Sequence, residues 1–170
     1  VQVSILSYTY DRFWGLLQIG LIADAENMRG LLQVGLITGA ERSFIGLGQV
    51  GVANLAGHSK RDPAGASFIG LFQIGLVNFT TDLEKSIAIQ ISAIFSASTT
   101  HYGLEIGPGN VCKKEMFGAQ IGIYNRAVIM RGVQIGIYNQ ADELYGVQIG
   151  LINKAGNGML PYFPVFNVGW

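Results

Sequence analysis

A phrase of eight residues, Gly-apolar-Gln-apolar-Gly-apolar-x-Asn, recurs about nine times and constrains the fold more than any other feature of the chain. Its clearest copies are Gly132-Val133-Gln134-Ile135-Gly136-Ile137-Tyr138-Asn139 and Gly146-Val147-Gln148-Ile149-Gly150-Leu151-Ile152-Asn153. The central residue sets the register: Gln18, Gln33, Gln49, Gln73, Gln90, then Glu105 in the place of a Gln, Gln120, Gln134 and Gln148. Successive spacings are 15, 16, 24, 17, 15, 15, 14 and 14 residues. Units this short cannot bury a core alone, so the architecture has to come from stacking or pairing equivalent units.

Within a repeat the side chains alternate. From Tyr145 to Asn153, one face carries Tyr145, Val147, Ile149, Leu151 and Asn153, and the other carries Gly146, Gln148, Gly150 and Ile152. Alternation with Val and Ile enrichment predicts a strand. A helix would scatter these residues and would lose about 1 kcal/mol at each interior Gly. Polar, turn-prone pieces separate the strands, among them Asp24-Ala25-Glu26-Asn27, Thr80-Thr81-Asp82 and Asn139-Gln140-Ala141-Asp142-Glu143. The 24-residue spacing marks an inserted loop from Gly57 to Gly65, and Pro108 to Glu115 forms a second irregular connection. Both are expected to face solvent. Flanking segments at Val1–Leu6 and Phe163–Trp170 also alternate, so residues 1–170 read as one all-β repeat domain of about ten to twelve strands.

Composition narrows the function. Charged residues are 13% of the chain against about 25% in an ordinary soluble domain. The net formal charge is zero, which gives a polyanion nothing to bind, so nucleic acid is not an expected partner. No stretch has the ~18 consecutive apolar residues of a membrane helix. Cys112 is alone and cannot form an internal disulfide.

Two folds suit a strand repeated at this period: an antiparallel up-and-down barrel, or a parallel β-solenoid. In a transmembrane barrel, the aliphatic face meets lipid and the Gly-Gln-Gly face lines the lumen. A ~10-residue strand tilted ~45° covers ~23 Å, close to the ~25 Å apolar band required. Trp14, Tyr102, Phe117 and Tyr145 precede the opening Gly of their repeats, where interfacial aromatic belts form. Antiparallel pairing would set each Gln opposite a Gly, filling a narrow lumen with a ring of Gln18, Gln33, Gln49, Gln73, Gln90, Glu105, Gln120, Gln134 and Gln148. Against this, Asn54, Asn78, Asn125, Asn139 and Asn153 recur at one phase, as side-chain ladders of stacked parallel coils would. Yet residues 139–144 offer only Ala141 and Leu144 to a second wall, so a solenoid core looks meagre. The residues favour the membrane barrel, with the solenoid and a water-soluble barrel as alternatives.

The chain ends on Phe166, Val168 and Trp170, an alternating strand finishing in an aromatic that resembles the membrane-insertion signal of outer-membrane barrels. The repeat phrase and the ending from Leu160 to Trp170 together resemble a family of bacterial surface-repeat proteins of leptospires and other Gram-negative phyla. The resemblance covers about Gly15 to Trp170. It implies export to the outer membrane or cell surface and no particular activity. Two copies depart from the pattern: residues 88–92 lack both glycines, and residues 103–108 carry Glu105 and then Pro108.

No catalytic, cofactor-binding or metal-binding constellation is visible. His58 and His101 have no metal-ligand spacing with other donors and are expected to be solvated. Glu105 places a carboxylate among amides, where it is either a tolerated substitution or a group that tunes ion passage. The expected protein is therefore a non-enzymatic outer-membrane barrel with a narrow or plugged lumen. Its expected partners are the lipid bilayer and other outer-membrane proteins, with no cofactor and no small-molecule substrate. The alternatives are a secreted or surface-attached solenoid acting as scaffold or adhesin, and a barrel subunit of a larger outer-membrane complex.

Overall fold

The computed structural model describes residues 1–57, 66–81 and 85–170. Its strands are β1 (Gln2–Val3), β2 (Leu6–Ile19), β3 (Ile22–Ile45), β4 (Gly48–Ala56), β5 (Ser67–Thr80), β6 (Lys85–Ile106), β7 (Gly109–Ala155) and β8 (Tyr162–Gly169). They follow one another in chain order in a single sheet. Strands β1 to β7 pair parallel, and only β8 runs antiparallel to its neighbour. The molecule is a parallel β-solenoid and not a barrel. Strand numbers fall below the ten to twelve expected because the extended backbone runs through the solenoid corners; β7 alone is 47 residues long.

The register explains the repeat. Gln18 lies opposite Gln33, Gln33 opposite Gln49, Gln49 opposite Gln73, Gln73 opposite Gln90, and Glu105 opposite Gln120. The Gln-opposite-Gly pairing expected of a barrel does not occur, because parallel coils superpose equivalent residues. The first flank belongs to the same system. Gln2 pairs with Gln18 and Val3 with Ile19, so the first residues follow the same phase as the later copies.

The alternation breaks at one point in each coil. After Gln148, residues Ile149, Leu151 and Ile152 are all exposed, while Asn153 is buried with the Gln. Two successive outward residues turn the chain through a corner and bring Asn onto the inner face. From there a second wall runs back with Ala141 and Leu144, or Ala127 and Met130, pointing inward. These two positions per coil are the residues that looked too few to line a wall. Stacked, they form an apolar half-core: Phe13, Met28, Phe44 and Phe68 in one column near the start, and Met116, Met130 and Leu144 near the end. Phe44 and Phe68 stack face to face at 4.7 Å.

Each Gly of the phrase has its own steric reason. A Cβ on Gly136 would meet the Gly122 carbonyl oxygen at 2.3 Å and Asn125 Nδ2 at 2.6 Å, so this Gly makes room for the Asn column. Gly132 and Gly146 sit at φ +137° and +147°, where L side chains are strained, and lie against the backbone of the preceding coil. The segment at Pro108 to Glu115 is not a solvent-facing loop: from Gly109 onward it is strand, with Asn110 and Cys112 buried. Of the inserted loop, all but Gly57 lies outside the described residues, as does Asp82.

Candidate functional surface: an aliphatic wall over an amide core

All nine residues expected in the lumen ring are fully buried. The structure places them in a column along the solenoid axis, with no lumen around which to form a ring. Gln33 Nε2 donates to Gln18 Oε1 at 2.8 Å, Gln49 to Gln33 at 2.6 Å and Gln73 to Gln49 at 2.7 Å. Farther on, Gln120 donates to Glu105 Oε2, Gln134 to Gln120 and Gln148 to Gln134, each at 2.7 Å. The second amide hydrogen reaches the backbone carbonyl six residues ahead: Gly39 from Gln33, Gln140 from Gln134, Lys154 from Gln148. A carbonyl can only accept, so these contacts fix which side-chain atom is nitrogen.

The Asn residues form a second ladder with the opposite polarity. Asn54 Nδ2 donates forward to Asn78, Asn110 to Asn125, Asn125 to Asn139 and Asn139 to Asn153. Gln ladders therefore donate toward the N-terminus and Asn ladders toward the C-terminus, so their dipoles oppose one another. Burial of so many polar groups is tolerable because nearly every donor has an acceptor in the next coil.

Both ladders fail over the same stretch. Gln90 Nε2 turns to Thr80 Oγ1, leaving Gln73 Oε1 without a partner. Glu105 cannot supply the amide donor that Gln90 Oε1 needs, and that oxygen is also unpartnered. Its own Oε1 accepts from Ser98 Oγ at 2.6 Å instead. In the Asn column Ser96 replaces the amide, bonds to Ser92, and leaves Asn110 Oδ1 alone. In the apolar column Ser86 follows Phe68, and His101 precedes Met116.

His101 is thus not a solvated residue. It is fully buried on β6, because its position belongs to the inward column. Its Nε2 contacts the Ala88 carbonyl oxygen at 3.1 Å, so Nε2 carries the proton and Nδ1 accepts from Ser86 Oγ. Burial holds its pKa below the usual histidine value, against the opposing pull of Glu105. Cys112 donates to the Thr99 carbonyl oxygen, and burial pushes its thiol up to about 12, which leaves no thiolate at neutral pH. Ser86, Ser98, His101, Glu105 and Cys112 are thus all buried and hydrogen-bonded in this stretch. His58 lies outside the described residues.

The outer side of the Gln wall is the chain's distinctive surface. The residues directly after each Gln or Glu105 are Ile19, Val34, Val50, Ile74, Ile91, Ile106, Ile121, Ile135 and Ile149, an unbroken aliphatic column. Beside it run Leu21, Leu36, Val52, Leu76, Ile123, Ile137 and Leu151, all between 43% and 69% exposed. From one residue before to four residues after each of the nine register positions, the one Asp, Glu, Lys, Arg or His is Glu105, which points inward, and Tyr124 and Tyr138 stand at the far edge. The charges lie on the corners and the opposite wall. There the four aromatics expected in membrane belts meet rings and guanidinium groups in two separate stacks, with Ile45, Ile69 and Ile87 between them: Tyr102 stacks on Phe117 at 4.5 Å, Arg131 covers Tyr145 at 4.4 Å, and Arg29 covers Trp14 at 5.3 Å. These residues follow the solenoid axis and do not gather at strand ends.

The C-terminal residues expected to act as an insertion signal lie on the capping strand. In β8, Phe166 pairs with Ile149 and Val168 with Val147, and Trp170 follows, 79% exposed. The buried Asn167 sits opposite Gln148, and Asn153 Nδ2 donates to the Phe163 carbonyl oxygen, which ends the Asn ladder. Comparison with known protein families, curated proteins and solved structures finds no match to this chain.

Proposed function

We propose that the chain is a non-catalytic scaffold or adhesin of the bacterial cell surface, held outside the lipid bilayer and working through its aliphatic wall. The observation that carries this reading is the inversion of ordinary chemistry across the Gln strand. Polar groups that could react are sealed inside, and the surface offered to partners is aliphatic and uncharged. Exposed apolar patches of this extent mark interaction sites. The parallel solenoid supplies a rigid support, because coils are bonded to their neighbours by backbone and, outside β6, by side-chain ladders. The likeness of the repeat phrase and ending to Gram-negative surface-repeat proteins supports display at the outer membrane or cell surface.

Fractionation of a Gram-negative host that exports the chain tests the reading. Protease added to intact cells should degrade the protein, and alkaline carbonate should release it without detergent. Retention in the cytosol, or release by detergent alone, would overturn it.

A further inference from the structure

We infer that the aliphatic wall is the contact by which two copies of this chain pair face to face. Three features of the wall select that occupant. The first is spacing. The columns repeat once per coil at about 4.8 Å, the separation of hydrogen-bonded strands. A second copy presents the same columns at the same spacing, so aliphatic side chains of one can seat between those of the other along the whole length, as inner faces of packed sheets do at about 10 Å separation.

The second is size. Nine coils at about 4.8 Å span roughly 38 Å, and the five residues before the corner at about 3.3 Å span roughly 16 Å. The wall therefore offers on the order of 600 Å² per copy, at the lower end of the roughly 600–1,000 Å² per partner of a standard stable interface.

The third is charge. The wall has no outward Asp, Glu, Lys, Arg or His. Charges of both signs stand beyond it, on the corners and the opposite wall, in a chain of zero net charge. Interfacial binding to anionic lipid is helped by a basic surplus that is missing here. A two-fold pairing uses the same patch on both copies, so it consumes the wall and stops at a dimer. This inference is independent of where the cell places the protein. The dimer can fail while surface display holds, and the reverse.

The test is sedimentation of the full chain in detergent-free buffer, beside Ile137→Lys/Leu151→Lys and a control, Asp142→Lys, on the opposite wall. All three positions are exposed, so circular dichroism should report unchanged strand content. Wild type and control should sediment at twice the 18.3 kDa chain mass. Two lysines per copy, buried unpaired in the interface, should weaken pairing by about 100-fold or more. A monomeric wild type, or a doubly substituted chain that still pairs, would overturn the inference. Flotation with phosphatidylcholine vesicles is the second arm: wild-type monomers floating with lipid would assign the wall to a membrane surface and overturn the pairing.

Discussion

At the residue scale, a Gln can donate on one side and accept on the other, and the ladder depends on that pairing of roles. Glu105 can accept from Gln120 as a Gln would, but it has no amide hydrogen to donate to Gln90. Glu105→Gln should restore that donor to Gln90 Oε1 and raise stability by about 1 kcal/mol, the net worth of one buried amide hydrogen bond. Chemical denaturation measures it, and a less stable variant would mean that the Ser98 contact outweighs the missing bond. The converse substitution lies in the intact ladder. Gln134→Ala deprives Gln148 Nε2 of its acceptor and Gln120 Oε1 of its donor, so it should cost about 3 kcal/mol. Ile137→Ala, on the outer wall and 51% exposed, should cost well under half of that in the same assay.

At the element scale, β6 is where the repeat loses its chemistry. Its inward positions carry Ser86, Ser96, Ser98, His101 and Glu105 in place of amides and large apolar side chains. The neutral His101 makes this strand sensitive to acid. Its folded pKa lies below the unfolded value of about 6.5, so the unfolded chain binds the proton more readily. The associated stability is complete above pH 6.5 and is lost as pH falls through the folded pKa. His101→Met would extend the Met116 and Met130 column and remove the titrating ring. The difference in melting temperature between wild type and variant should be flat above pH 7 and shift in the variant's favour below 6.5; a pH-independent difference would show that the ring does not titrate in this range.

Much of each strand was legible in the sequence. The Gln register, the strand character of each copy, and the division into a Gly-Gln inner side and an aliphatic outer side all follow from period-two alternation. Strand direction did not. Alternation is the same for parallel and antiparallel neighbours, and the outward aliphatics suggested lipid. The clue to direction was the recurrence of Asn at one phase, which only superposed coils turn into hydrogen bonds. The second wall was hidden because Ala141 and Leu144 look insufficient in one repeat. Their contribution comes from stacking on Ala127, Met130 and their equivalents, a property of neighbouring coils. Gln2 escapes the pattern because Ser4 and Ser7 stand where the phrase has Gly and Asn.

At the scale of the whole molecule, each coil touches little beyond its two neighbours, so stability is a sum of coil and interface contributions along one axis. Three inward columns, Gln, Asn and Phe/Met, are interrupted together within β6, while the backbone pairing of β5 to β6 and β6 to β7 continues. The interfaces on either side of β6 therefore lack the ladder bonds that hold the C-terminal coils together. The stack from Gly109 onward has continuous ladders from Gln120 to Gln148 and from Asn110 to Asn153, closed by β8. Unfolding should break at β6 first and leave the C-terminal stack standing. Hydrogen exchange under mild denaturant should show amides of residues 85–106 exchanging early and those of 118–155 last. Combining Glu105→Gln with Ser96→Asn, which returns an amide to each ladder at the seam, should bring the two stacks toward a single transition. Uniform protection along the wild-type chain would show instead that the backbone pairing alone sets the cooperativity, with the amide ladders adding nothing to it.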